Sequence, residues 1–144
     1  MKVTLVYPGI AGISGGFGTA GQSMESGWIS HGLMLLSASA QEAGFEVDLI
    51  DLRALRDWDH FRAELLARRP AVVGITMMSV DYNPALRCVE IIKEAAPATR
   101  VVVGGPHPTL ATHELVEHSG IDHIVTHEGE ISFVRLLRQI QAGE

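Results

Sequence analysis

Short apolar runs alternate with longer amphipathic segments along this chain of 144 residues. The apolar runs are rich in Val, Ile and Leu, and they predict β-strands over residues 3–7, 45–52, 71–76, 100–103 and 121–125. Between the strands, apolar residues three and four positions apart predict helices over residues 33–43, 59–68, 112–118 and 130–141, with a further helix that Asn83-Pro84 opens and that ends before Pro97.

A regular alternation of strand and helix predicts an α/β fold in which helices cover both faces of a parallel sheet. With right-handed crossovers, five strands favour a single doubly wound sheet in the flavodoxin-like order 2-1-3-4-5. The length is close to the commonest domain size, so we expect one domain over residues 1–144.

Composition narrows the possible partners. The net charge is −6, and no run of Lys or Arg is present, whereas binding to nucleic acid or to an anionic membrane needs clustered cations. No apolar run reaches the roughly 18 residues that a membrane-spanning helix needs. A single cysteine, Cys88, excludes an internal disulfide and a thiolate metal cluster built by this chain alone. These features predict a cytoplasmic protein that binds neither nucleic acid nor membrane.

The loops that follow the strands should share one edge of the parallel sheet, and we expect any ligand there. These loops cover residues 8–32, 77–82, 104–109 and 126–129. Residues 9–32 contain eight glycines and form a connection much longer than the usual length of about 4–6 residues. Such a loop is either a binding loop or a mobile surface segment.

Residues 16–21 match the dinucleotide fingerprint G-x-G-x-x-G. That fingerprint needs a strand directly before it and a helix directly after it, so that the helix N-terminus faces a pyrophosphate. Here the strand ends at Pro8, and residues 22–27 are a poor helix start. A receiver domain shares the predicted topology, but it needs acidic residues directly after strand 1, an Asp at the end of strand 3 and a Lys directly after strand 5. Here strand 1 ends in Tyr7-Pro8, strand 3 in Thr76-Met77 and strand 5 in His127-Glu128.

Five histidines lie in the last third of the chain: His107, His113, His118, His123 and His127. Only His107 and His127 are predicted on the shared rim, and no spacing matches a known ligand pattern. We therefore predict no metal site, and we interpret His107 as a polar contact at the rim.

Residues 101–109 have the sequence VVVGGPHPT, a buried strand that ends in two glycines. Without a Cβ, Gly104 and Gly105 allow close approach to the main chain. Met77 and Met78, at the end of strand 3, are either core residues or the lining of a pocket for a large, partly apolar ring.

Taken together, these segments resemble the cobalamin-binding domain of B12-dependent radical SAM enzymes. The resemblance covers nearly the whole chain, through residues 2–8, 35–52, 72–76 and 101–109 and through residues 127–130 with Phe133. It implies a Rossmann-like fold, a cobalamin cofactor, and paired glycines that let the nucleotide tail pass between strand ends. The cofactor-binding residues predicted on the rim are Pro8, Gly9, Thr76, Met77, Met78, Ser79, Gly104, Gly105, Pro106, His107, Thr109, Glu128 and Gly129.

The chain departs from the wider cobalamin-binding pattern after strand 1. There an Asp-x-His-x-x-Gly motif supplies a lower histidine ligand to cobalt, but residues 7–12 contain neither Asp nor His. The resemblance therefore implies base-off cobalamin without a histidine ligand.

The resemblance also implies a function in methyl transfer from S-adenosylmethionine to a substrate radical. The Cys-x-x-x-Cys-x-x-Cys motif for an iron–sulfur cluster is absent, so the cluster and S-adenosylmethionine would bind a radical SAM domain supplied in cis or in trans. We predict no catalytic residue in this chain. Two alternatives remain: an interaction or sensor domain with a degenerate site, and a nucleotide or flavin binder at the same place.

Overall fold

The strands form one parallel sheet with the order β2-β1-β3-β4-β5, which confirms the predicted fold class. The computed structural model describes residues 1–11, 16–18 and 30–144. The strands are Lys2–Tyr7 (β1), Glu46–Asp51 (β2), Val72–Thr76 (β3), Arg100–Gly104 (β4) and His123–Val125 (β5). The helices in the described part are His31–Glu42 (α1), Trp58–Arg68 (α2), Tyr82–Ala95 (α3), Pro106–Leu110 (α4) and Gly129–Ala142 (α5), with 3-10 turns at Leu52–Ala54, Ser79–Asp81 and Thr112–Glu114.

Each face of the sheet is covered by a pair of helices. Helices α1 and α5 pack on the face formed by Val3, Leu5, Val72 and Val102, to which they contribute Leu33, Ala40, Phe133 and Leu137. Helices α2 and α3 pack on the opposite face, where Phe61 and Leu65 meet Val89 and Ile92. Successive strand residues point to opposite faces, so each strand contributes to both apolar layers.

Local signals place the helix ends close to their predicted positions. The Asp57 side chain accepts a hydrogen bond from the His60 backbone N–H at 2.8 Å and caps α2. Gly44 follows α1 with φ 89°, the left-handed conformation that a helix-ending glycine provides without steric cost. In the described ranges, no helix is both long and apolar enough to cross a membrane.

The predicted helix over residues 112–118 is wrong. Only a 3-10 turn forms there, at Thr112–Glu114, and the helix begins earlier, at Pro106. Gly105, at φ 106°, turns the chain sharply after β4. Pro106 and Pro108 then lie in the first helical turn, where a missing N–H leaves no hydrogen bond unmade.

Candidate functional site

A cavity of about 400 Å³ opens at the carboxyl edge of the sheet, between the sheet and helices α1 and α5. It lies over the ends of the neighbouring strands β1 and β3, which is the switch point at which doubly wound sheets bind ligands. Its size is within the range of small-molecule pockets. The lining residues are Leu5, Tyr7, Ser30, His31, Gly32, Leu33, Leu36, Gly74, Ile75, Thr76, Met78, Val102, Gly104, Gly105, Pro106, Val125, His127, Glu128, Gly129, Glu130 and Phe133.

Two rows of strand residues form the floor of this cavity. The deeper row consists of Leu5, Gly74 and Val102, which are partners in the register of β1, β3 and β4. The row at the mouth contains Tyr7, Thr76, Gly104 and Val125. Residues of α1 and α5 form the roof: Leu33, Leu36, Gly129 and Phe133. The cavity is therefore apolar at depth and acquires hydroxyl groups at its mouth.

Glycines keep both rows open. A Cβ at Gly74 would lie 2.9 Å from Leu5 Cδ2 and 3.3 Å from Phe133 Cζ, so it would fill the space between floor and roof. A Cβ at Gly104 would lie 3.3 Å from the Val125 carbonyl oxygen. With hydrogen at these positions, the main chain of β3 and β4 carries no side chain of its own toward the cavity.

The loops after β3 and β4 are held together by main-chain hydrogen bonds. Met77 N–H donates to the Gly104 carbonyl at 2.8 Å, and His107 N–H donates to the Met77 carbonyl at 3.0 Å. Gly105 fits between these loops, because a Cβ there would lie 3.0 Å from Thr76 Oγ1 and 3.1 Å from Met77 N. These contacts hold Thr76 and Gly104 of the mouth row in place beside the cavity.

Thr109 connects α4 to the loop before α5. Its hydroxyl donates to the Gly105 carbonyl at 2.9 Å and accepts from His127 N–H at 2.8 Å. His127 has φ 61°, a conformation that costs free energy for a residue with a side chain. Thr109 thus helps to hold the strained loop that carries Glu128 to the cavity.

His107 is buried beside the cavity rather than in its wall. Its Nδ1 lies 3.2 Å from Ser79 Oγ, and its ring meets the Tyr82 ring edge-on at 5.0 Å. Its Nε2 lies 3.3 Å from Glu114 Oε2, which is within ion-pair distance but without hydrogen-bond geometry. No group of three His, Cys, Asp or Glu side chains that could hold a metal occurs in residues 1–11, 16–18 and 30–144.

Tyr7, at the end of β1, is packed on both sides. The Arg53 guanidinium lies 4.5 Å from the ring centroid, and it is paired with Asp51 at 2.7 Å. A Cβ at Gly9 would overlap the ring, so only glycine fits there. Burial and the nearby carboxylate of Asp81 raise the pKa of Tyr7. The mouth therefore presents a neutral phenol at this end.

The structure separates the predicted site residues into two groups. Those that line the cavity are Thr76, Met78, Gly104, Gly105, Pro106, Glu128 and Gly129. Those that do not line it are Pro8, Gly9, Met77, Ser79, His107 and Thr109. Met77 is fully buried in the opposite apolar layer. Ser79 contacts His107, and Thr109 binds the His127 main chain. Most of the long loop over residues 9–32, including part of the G-x-G-x-x-G match, lies outside the described residues.

The set predicted from the sequence omitted the walls of the deep row. Leu5, Val102 and Phe133 are apolar residues in a strand or an amphipathic helix, and their sequence pattern is that of core residues. The signal that could have located them is Gly74, a glycine in the middle of a buried strand, which often marks close approach of another group.

The family model described as B12 binding domain matches residues 19–137 of this chain. The chain is 28% identical to an anaerobic magnesium-protoporphyrin IX monomethyl ester cyclase from Rubrivivax gelatinosus, over 99% of its own length and 25% of that protein. It therefore spans about a quarter of this curated relative.

Two solved structures have the same fold. A novel cobalamin-binding protein from Desulfitobacterium hafniense DCB-2 superposes with a TM-score of 0.67 and 15% identity, over 96% of this chain and 57% of that one. A CheY-like protein (TadZ) from Pseudomonas aeruginosa PAO1 superposes with a TM-score of 0.59 and 18% identity, over 97% of this chain and 94% of that one. At these identities the likeness shows the fold alone.

Proposed function

The chain belongs to the B12 binding domain family, and we propose that it holds cobalamin base-off, with the nucleotide tail in the cavity between the sheet and helices α1 and α5. The observation that carries the proposal is the pair of glycines, Gly74 and Gly104, one in each row of the cavity floor. A Cβ at either position would occupy space that a planar base needs.

The residues of the cavity fit such a tail. Leu5, Val102 and Phe133 give apolar contact to a flat aromatic base, and the Thr76 and Tyr7 hydroxyls lie at the mouth, where the polar sugar and phosphate would pass. A cavity of about 400 Å³ takes only part of so large a cofactor, so the corrin ring would lie outside, over the strand ends. The axial-histidine motif is absent after β1, which favours the base-off form.

We further propose that the domain serves a radical SAM enzyme. The supporting observations are the sequence resemblance and the identity to the anaerobic cyclase, of which this chain spans a quarter. Bound cobalamin supplies a cobalt centre that can carry a methyl group from S-adenosylmethionine to a substrate radical, and methyl transfer is the reaction that we propose.

The residues of this chain would bind and orient the cofactor rather than react. Met78, Pro106 and Glu128 line the cavity and would contact the corrin ring. Cys88 is buried, and it has no cysteine neighbour in the sequence with which to hold an iron–sulfur cluster. The cluster and S-adenosylmethionine would therefore bind a partner domain, in cis or in trans.

The test is titration of the purified chain with hydroxocobalamin, followed by absorbance and equilibrium dialysis. We expect saturable binding with the spectrum of base-off cobalamin, and weaker binding of cobinamide, which lacks the nucleotide tail. A bound base-on spectrum, or equal affinity for cobinamide, would contradict tail insertion. If the purified protein retained a flavin or a dinucleotide instead, the nucleotide-binding alternative would replace this proposal.

A further inference from the structure

We propose that the cavity selects among complete corrinoids by the polarity of the base at the end of the nucleotide tail, favouring a benzimidazole over a purine. This inference rests on the proposed function, because it requires the tail to enter the cavity. It concerns which base, at the end of the nucleotide tail, this chain accepts, and the fold alone does not determine that base.

The deep end of the cavity is walled by apolar side chains. Leu5 and Val102 flank Gly74 on the floor, and Leu36 and Phe133 lie on the roof. Leu5, Val102 and Phe133 are almost fully buried, with exposures of 1%, 2% and 3%. Within the described residues, the polar side chains that line the cavity come from the mouth row and from the starts of helices α1 and α5: Tyr7, Ser30, His31, Thr76, His127, Glu128 and Glu130.

The main chain of the strand beneath this end of the cavity is also used within the sheet. Strand β3 is paired on both sides, with Leu5 and Val102 as the partners of Gly74 in the register. In a parallel ladder paired on both sides, the N–H and C=O groups of the central strand are used by the sheet. A base inserted beside Gly74 therefore meets carbon atoms and satisfied amides.

The two kinds of base differ in the atoms that they would bury at the deep end of the cavity. Dimethylbenzimidazole places methyl groups and ring carbons at its inner end. Adenine carries an exocyclic amino group and further ring nitrogens at the same end, and these would lose water without gaining partners. Leaving one buried polar group unsatisfied weakens binding by about tenfold or more. We therefore expect the adeninyl form to bind at least about tenfold more weakly than cobalamin.

The experiment compares cobalamin with the corresponding adeninyl cobamide on the full chain, with the same upper ligand and with cobinamide as the tail-less reference. Dissociation constants come from equilibrium dialysis, so no catalytic activity is needed. Tighter binding of cobalamin by about tenfold or more supports the inference. Equal affinities for the two complete corrinoids, both tighter than cobinamide, would overturn it and leave the proposed function intact. Failure of all three to bind would overturn the proposed function itself.

A pair of substitutions in β4 tests whether the deep row causes the preference for cobalamin. Val102→Thr replaces a methyl group in the deep row with a hydroxyl of nearly the same size, so we expect the preference for cobalamin to shrink several-fold. Val103→Thr is the matched control, because Val103 is equally buried but belongs to the opposite apolar layer. An unchanged preference in a folded Val102→Thr variant, or an equal change in both variants, would refute the assignment to the deep row. The comparison on the unsubstituted chain stands whether or not these variants fold.

Discussion

Gly74→Ala should block tail insertion while leaving the domain folded. The new Cβ would lie 2.9 Å from Leu5 Cδ2 and 3.3 Å from Phe133 Cζ. Both atoms are the far ends of side chains that border the cavity, so the unliganded protein can relax by turning them into that space. A bound base would remove the space, and the overlap would then fall on the complex.

The expected loss of affinity follows from this difference between the free and the liganded protein. Adding a methyl group to a well-packed apolar site costs about 1–3 kcal/mol. If that cost falls on the complex alone, the dissociation constant for cobalamin should rise about 5- to 150-fold. Cobinamide has no base to insert, so its affinity should stay nearly constant.

The assay is absorbance titration of the wild type and the variants with hydroxocobalamin and cobinamide, together with urea unfolding of each protein. Val73→Ile is the matched control, because it adds one carbon to the neighbouring residue of β3 on the opposite face, where Val73 is fully buried. This control should lose stability by about 1–3 kcal/mol but retain its affinity for cobalamin.

Two results would refute the reasoning. If a folded Gly74→Ala protein bound cobalamin as tightly as the wild type, the tail would not pass over β3. If Val73→Ile weakened cobalamin binding as much as Gly74→Ala, the effect would come from general destabilisation.

Three further predictions concern residues around the site and in the core. Gly105→Ala should lower the free energy of unfolding in urea by about 1–3 kcal/mol, because φ is 106° and the new Cβ would lie 3.0 Å from Thr76 Oγ1. An unchanged midpoint of urea unfolding would contradict this prediction. Burial raises the pKa of Asp122, but hydrogen bonds from Lys93 and the Val101 N–H outweigh burial and hold the pKa below its usual value. The ionised carboxylate therefore stabilises the fold above the usual carboxyl pKa, and this stabilisation is lost as the pH falls through the lower folded-state pKa. Asp122→Asn should lower the free energy of unfolding by about 1–2 kcal/mol at neutral pH and by less in acid. An equal loss in acid would count against the ion pair. Burial raises the pKa of the Cys88 thiol, so a thiol reagent should label it only as fast as the protein unfolds, and rapid labelling of the native protein would show that the core opens locally.

Most strands and helices of the fold could be predicted from the sequence, because the patterns that specify them are local. Runs such as Val101-Val102-Val103 are apolar on both faces, and this pattern is typical of a parallel strand covered by helices on both sides. Asp57 and Gly44 marked helix ends through side-chain and backbone preferences that need no tertiary contact. Gly104 and Gly105, at the end of β4, likewise identified the rim. Helix α4 was missed because its start depends on the turn at Gly105.

The candidate site itself depended on tertiary structure. Leu5, Gly74 and Val102 are far apart in sequence, and only the register of three strands brings them into one row. An apolar residue that lines a cavity and one that fills a core have the same sequence pattern, because both avoid water in the same way. The difference lies in the missing Cβ at Gly74, which would lie 3.3 Å from Phe133 Cζ, and no pattern along the chain records the distance between a strand and a helix packed over it.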